Sequence, residues 1–311
     1  MFAALLTTVL FSISAVTANR TTRFLSGSEA NFWRLVCATF FLALYAHTFG
    51  KGLSGNAFTI FFISGCIGFG IGDLALFQAY PRLGSRLTIL LVQCLAAPFA
   101  ALTEWLWLHT TLSWWQVLYG LTILAGVVLA LSPGRHLELS PKQIWQGTLF
   151  GALAAVGQGM GAVLSRIAYD KLSAAGQDID GVTAAYQRIL GGVTLVTLFL
   201  LFIRRPNFAF NQPTRQADPA RNVFQSEEIR GRVWPWIIAT ALAGPTLGVS
   251  CMQWALKTNP TGIVLPVVAI TPIVIIPFAR YMEGERPTIR SLIGGVVAVA
   301  GVVGLTLVTR G

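Results

Sequence analysis

The sequence predicts an all-α integral membrane fold of ten transmembrane helices, arranged as two inverted five-helix repeats. Three observations carry that prediction. Of the 311 residues, 54% are hydrophobic and 11% charged. A soluble domain carries about a quarter charged residues, so Lys, Arg, Asp and Glu are too few here to coat a water-facing surface. Ten apolar segments are long enough to cross ~30 Å of hydrocarbon, which takes roughly 20 helical residues each. Short motifs also recur in the same order in the two halves.

The ten segments cover residues 2–18, 31–49, 57–79, 86–108, 113–132, 144–168, 183–203, 233–256, 261–282 and 290–309. The first ends in Val16-Thr17-Ala18, a passable signal-peptide cleavage site, but it lacks a basic n-region. The repeat needs a helix there, and it is read as a span. The third and fourth are divided at Tyr80-Pro81-Arg82-Leu83-Gly84, where Pro and Gly stop a helix. The one long polar connection, 204–232, is rich in Pro, Asn, Gln and charge and reads as a loop. The halves are thus residues 1–132 and 144–309, the second carrying that loop.

Internal similarity supports the division. Phe32-Trp33-Arg34-Leu35 opens the second span and Tyr186-Gln187-Arg188-Ile189 the seventh, with the same aromatic-x-Arg-aliphatic order. Gly120, Gly126, Val127 and Val128 of the fifth span return as Gly295, Gly301, Val302 and Val303 of the tenth. Gln78-Ala79 answers Trp254-Ala255, and the fourth and ninth spans carry Pro98 and Pro272 before Glu104 and Glu283. Five spans per repeat is an odd number, so the second half enters the membrane in the opposite sense. Inverted repeats of this kind have a pseudo-two-fold axis in the membrane plane.

The net charge of +10 is scattered between hydrophobic runs and forms no continuous basic face, so no nucleic-acid partner is expected. The lipid bilayer is. Lys and Arg concentrate in the odd-numbered connections, which places those in the cytoplasm and both termini outside by the positive-inside rule. Cys37, Cys66, Cys94 and Cys251 lie singly in apolar stretches, indicating neither disulfide nor zinc site. No His-Glu-x-x-His or Gly-x-x-x-x-Gly-Lys-Ser/Thr motif is present. No catalytic residue, metal or organic cofactor is therefore expected.

The pattern resembles the EamA family of the drug/metabolite transporter superfamily. The residues that carry the resemblance are Arg34 and Arg188, with a second-half succession of Ala255 to Gly262, Thr271-Pro272, Glu283-Gly284-Glu285-Arg286-Pro287-Thr288 and Gly294-Gly295. The first half departs from it at Leu102-Thr103-Glu104-Trp105-Leu106 and at Arg82 and Arg86. The resemblance implies a multi-pass protein of the cell or inner membrane that moves small metabolites or drugs, as an exporter, by alternating access, with helices one, three, four, six, eight and nine around the path. A membrane-embedded scaffold or enzyme is the alternative; an enzyme would cluster His, Asp or Glu at one membrane face. Oligomeric state, substrate and coupling ion are not legible.

A charge in hydrocarbon costs ~2.5–3.5 kcal/mol on insertion scales, so each one calls for an account. Asp73, in Gly68-Phe69-Gly70-Ile71-Gly72-Asp73, is the one acid deep in a span. Two readings stand, a proton or cation site used in coupling and a structural ion pair with Arg34 or Arg188. The arginines are placed about one turn inside their helices, as structural or anion-contacting groups within snorkelling reach of the headgroups. Gln78, Gln93, Gln158 and Gln253 are candidate solute contacts or interhelical hydrogen bonds. Phe77 and Trp254 are candidate stacking or cation–π surfaces, or simple packing. Glu104 and Glu283 are read as solvated near helix ends. Gly68/Gly72, Gly147/Gly151, Gly157/Gly161 and Gly244/Gly248 are read as close helix contacts.

Overall fold

A computed structural model describes residues 2–108, 113–131, 140–203, 227–259, 261–284 and 288–309. Every regular element among them is helical. In chain order these are α1 (Phe2–Thr21), α2 (Gly27–Thr48), α3 (Phe58–Gly65), a π-helical segment (Cys66–Gly72), α4 (Asp73–Leu108), α5 (Trp114–Leu131), α6 (Pro141–Ala174) and α7 (Gly181–Ile203). Then follow α8 (Glu227–Ala241), a second π-helical segment (Leu242–Gly248), α9 (Val249–Thr258), α10 (Thr261–Val268), α11 (Thr271–Glu283) and α12 (Ile289–Thr309).

Polarity is distributed as lipid demands. Phe40, Val128, Trp145, Leu201 and Val296 are exposed on the outside of the bundle. Inside, α1 buries Thr7, Thr8, Ser12, Ser14, Thr17 and Asn19. Most of the hydroxyls are satisfied within the helix, as where Ser12 Oγ donates to the Thr8 carbonyl at 2.7 Å and Thr17 Oγ1 to that of Ile13 at 2.9 Å, while Ser14 Oγ donates across to the Thr240 carbonyl of α8 at 3.3 Å. Helices in hydrocarbon gain little from hiding apolar surface from one another, so small and polar residues make the interhelical contacts and large aliphatics face the lipid.

Five helical stretches are long and apolar enough to cross a membrane: Phe2–Thr21, Phe58–Ala100, Pro141–Ala174, Gly181–Phe202 and Val233–Thr258. Val117–Ala130 and Ile289–Gly304 are shorter apolar helices. The count differs from the ten expected for physical reasons. Phe58–Ala100 runs two expected spans together, because the helix continues through Pro81 and its one non-helical residue is Gly84, at φ 78° and ψ 172°. That positive φ is natural to glycine and turns the chain back. The polar Glu29, Arg34 and His47 dilute α2, and the expected ninth span is divided into α10 and α11, with Pro272 in the first turn of the latter. The polar connection read as 204–232 ends earlier, since α8 begins at Glu227; its residues 204–226 lie outside the described ones.

Packing partners exchange between the halves. Helix α2 packs on α7, and α5 on α12, so corresponding helices meet face to face. Where α3 and the first π segment pack on α6 and α7, the corresponding α8 and second π segment pack on α1 and α2. Where α4 packs on α6, α11 packs on α1. Gly126 lies against the Gly294 carbonyl and Gly294 against that of Gly126, a reciprocal contact with no room for side chains.

Candidate functional site

Two arginines are carried into the bundle by equivalent local structure. Ser26 caps α2 in a capping box, its Oγ accepting from the Glu29 N–H at 3.3 Å while Glu29 Oε2 accepts from the Ser26 N–H at 3.3 Å. Asp180 caps α7, its Oδ1 accepting from the N–H groups of Val182 and Thr183 at 2.9 Å each. Arg34 and Arg188 each follow their cap by eight residues. The helices begin earlier than the hydropathy indicates, so both arginines lie two turns in and not one. Each is 5% exposed, which corrects the snorkelling expectation.

The surface facing them comes from the π segments. Both are seven residues long, and with Gln78-Ala79 laid on Trp254-Ala255 they coincide residue for residue. Gly68 then lies on Gly244 and Gly72 on Gly248. A π turn widens the helix by one residue and recurs at functional sites. A side chain at Gly244 would meet an Arg34 nitrogen at 3.4 Å, and one at Gly68 an Arg188 nitrogen at 3.1 Å, so each arginine is seated against the same glycine of the opposite repeat. Behind Arg188, α3 and α7 touch backbone to backbone at Gly65 and Gly191, where no side chain fits.

Asp73 breaks the equivalence. It follows the first π segment, while Val249 follows the second. The Arg34 guanidinium donates to Asp73 Oδ2 and, at 2.9 Å, to Asn31 Oδ1. Its carbon lies 4.8 Å from the centroid of the Phe77 ring. Arg188 lies 5.3 Å from the Phe69 ring centroid. It makes no hydrogen bond or ion pair to the described residues, and its Nε is a buried donor without an acceptor.

These groups face one cavity of about 80 Å³. Its wall includes Gly68 and Phe69 of one π segment, Gly244 and Pro245 of the other, both arginines, and Asp73. Gln93 from the second half of α4, Gln158 from α6, Ser14 and Tyr80 complete the polar lining, the Gln158 amide donating to Gln93 Oε1. The rest is apolar, from residues such as Phe11, Ile89 and Met252.

Of the residues singled out in the sequence, the structure thus brings together Asp73, Gln93, Gln158, Arg34 and Arg188. It does not bring the others. Phe77 is fully buried outside the cavity, where the cation it meets is Arg34 and its ring contacts Tyr80 edge-on at 5.5 Å. Gln253 is fully buried between α9 and α6, its Nε2 3.5 Å from Ser165 Oγ. Trp254 is 60% exposed on the outer surface. Gln78 instead accepts from Arg82, which lies over the Phe150 ring at 4.9 Å. The expected set of lining helices also changes: the second and seventh spans supply the arginines, and no described residue of α10 or α11 reaches the cavity.

Polar contacts tie the two ends of the bundle. At the end of the odd-numbered connections, Glu283 of α11 accepts from Asn19 of α1 at 2.9 Å and from Ser85 of α4 at 2.8 Å. It therefore joins three helices, where the sequence suggested a solvated position. Nearby, Arg86 donates to Ser291 of α12 at 2.6 Å. At the other end Gln187 donates to the carbonyls of Gly52 and Ser54 at 3.1 and 2.9 Å, and Lys257 pairs with Asp178 at 2.6 Å. The side chain of Glu104 lies outside the described ones.

A helical bundle with a lipid-facing aliphatic exterior, and a polar cavity where two equivalent helix sets meet, defines a multi-pass integral membrane protein of two repeats. A sequence profile of the EamA-like transporter family matches residues 1–132 and 145–307, and the chain belongs to that family. It is thus a member of a family of membrane transporters. A solved structure titled only "Crystal structure of protein" aligns over 99% of this chain and 97% of that one, with a TM-score of 0.60 at 15% identity, a likeness of fold. No curated protein matches the chain in sequence.

Proposed function

We propose that the chain is a ten-span secondary carrier that exports small solutes by alternating access, its two five-helix repeats, residues 1–132 and 144–309, inverted about the central cavity. The observation that carries this reading is the cavity's position. It is lined by both π segments and by the arginine of each repeat, so a rearrangement exchanging the two repeats' conformations leaves the binding groups central while the opening changes sides. The contacts at the two ends supply what such a cycle must break alternately. The Asn19–Glu283–Ser85 cluster closes one end, and the Lys257–Asp178 and Gln187 contacts close the other.

Asp73 is the coupling group in this account. Its carboxylate neutralises Arg34 when ionised; on taking a proton it gives up that pairing, and the freed guanidinium changes the charge of the cavity. Coupling to an ion gradient then needs no cofactor. The test is solute flux in proteoliposomes across a metabolite panel with an imposed proton gradient, comparing wild type with Asp73→Asn. Gradient-driven flux abolished by the substitution is the expected result. Flux that ignores it would demote Asp73 to structure, and no flux for any solute would overturn the carrier reading.

A further inference from the structure

The cavity's charges do not cancel. Its described lining holds Arg34, Asp73 and Arg188. Arg34 and Asp73 are bonded to each other, so the described lining carries one net positive charge, and Arg188 is its guanidinium without a bonded acid. That guanidinium is 5% exposed, lines the cavity, and has no hydrogen-bond or ion-pair partner among the described residues. A buried, uncompensated charge is among the costlier things a protein can hold, and natural structures pair such groups. Arg34 shows what pairing looks like in this scaffold. The position that corresponds to Asp73 in the second repeat holds Val249, which is buried and lines the same cavity.

Resting on the carrier reading of the cavity, we infer that Arg188 is the recognition group for a singly charged organic anion, a small carboxylate with an apolar body, which supplies the counter-ion that the described residues of the second repeat do not. Guanidinium binds carboxylate through two parallel N–H···O bonds. The Gln93–Gln158 bond engages Gln93 Oε1 and leaves the Nε2 of this cavity-lining residue as a further donor. Phe11, Phe69, Ile89 and Met252 supply apolar wall for the rest of the solute. Cations are disfavoured, because the one carboxylate in the lining is already engaged by Arg34. The two arginines are not a symmetric pair of anion contacts: Arg34 is bonded to Asp73, whereas Arg188 has no hydrogen-bond or ion-pair partner among the described residues.

The test measures equilibrium binding, separately from flux. Purified full-length protein in a neutral detergent is titrated with acetate, hexanoate and benzoate, and with acetamide, hexanamide and benzamide as neutral isosteres, using tryptophan fluorescence and thermal stabilisation. Carboxylates are expected to bind at least tenfold more tightly than their amides, and Arg188→Gln to remove that preference. Val249→Asp is a second, independent arm. It supplies the missing carboxylate, and so should melt above Val249→Asn and lose the carboxylate response with Arg188 still present. Equal binding of acids and amides, an unchanged preference in folded Arg188→Gln, or Val249→Asp melting below Val249→Asn would each overturn the inference. In phosphatidylcholine nanodiscs, loss of the response on adding phosphatidylglycerol would reassign the site to a lipid headgroup and overturn a solute role. Flux of neutral or cationic solutes without carboxylate binding would sink the inference while leaving the carrier reading intact.

Discussion

In the first repeat a buried arginine pairs with an aspartate set just after a π-helical segment; in the second the same position holds a valine, and the arginine there has no hydrogen-bond or ion-pair partner among the described residues. The backbone devices are otherwise the same: a helix cap eight residues ahead of each arginine, a π segment of seven residues facing it, and a glycine where the guanidinium rests. Shape is therefore set by features both halves share, and charge by one residue they do not. A two-fold scaffold can exchange two similar conformations. A single unshared acid gives those conformations different electrostatics, which a gradient can then bias.

The largest expected effect breaks the charged side of the comparison. Asp73→Ala leaves Arg34 buried without its acid and should cost about 3–5 kcal/mol. Arg188→Ala removes an arginine that is bonded to no acid among the described residues, and should cost far less than Arg34→Ala. Reversible unfolding in mixed micelles reads both, and a double-mutant cycle on Arg34 and Asp73 isolates their coupling.

Next comes the shared packing. Leucine at Gly191 must push α7 off α3, and leucine at Gly126 must push α5 off α12; each should lose about 1–3 kcal/mol or more through overpacking, in the same assay. Glu283→Ala orphans the Asn19 and Ser85 donors at one end of the bundle only, for about 1–3 kcal/mol. Its sharper readout is accessibility: a cysteine placed in the cavity should react faster with a reagent added from that end. The smallest effect is on the outer surface. Trp254→Ala should change stability by no more than about 0.5 kcal/mol and leave flux unchanged.

How far these features are legible in the sequence depends on the kind of signal. The repeat is visible because Arg34 and Arg188 sit in matching tetrapeptides, and because Gly126-Val127-Val128 returns as Gly301-Val302-Val303. Asp73, Gln93 and Gln158 stand out because polar groups in apolar spans are expensive to keep. The π segments themselves carry no comparable mark, since Phe69 occupies in one the place that Pro245 takes in the other. Gln253, Phe77 and Trp254 mislead for a physical reason. In a helix apolar on every side, lipid-facing and core-facing positions have the same composition, so the pattern does not say which way a residue points. Glu283 misleads because its position near a helix end suggests water, and only the arrival of α1 and α4 supplies Asn19 and Ser85. The arginines' depth is missed through the capped first turns of α2 and α7, which are too polar to register as membrane span.

The central claim, one scaffold repeated twice with its acid in only one copy, is tested most directly by moving the acid. Asp73→Val combined with Val249→Asp transfers the carboxylate from the first repeat to the second. If the repeats are equivalent in shape, the double variant recovers most of the stability lost in Asp73→Val alone, because Arg188 now holds the acid that Arg34 has given up. A double variant as unstable as Asp73→Val, or less stable still, would contradict the equivalence on which the account rests.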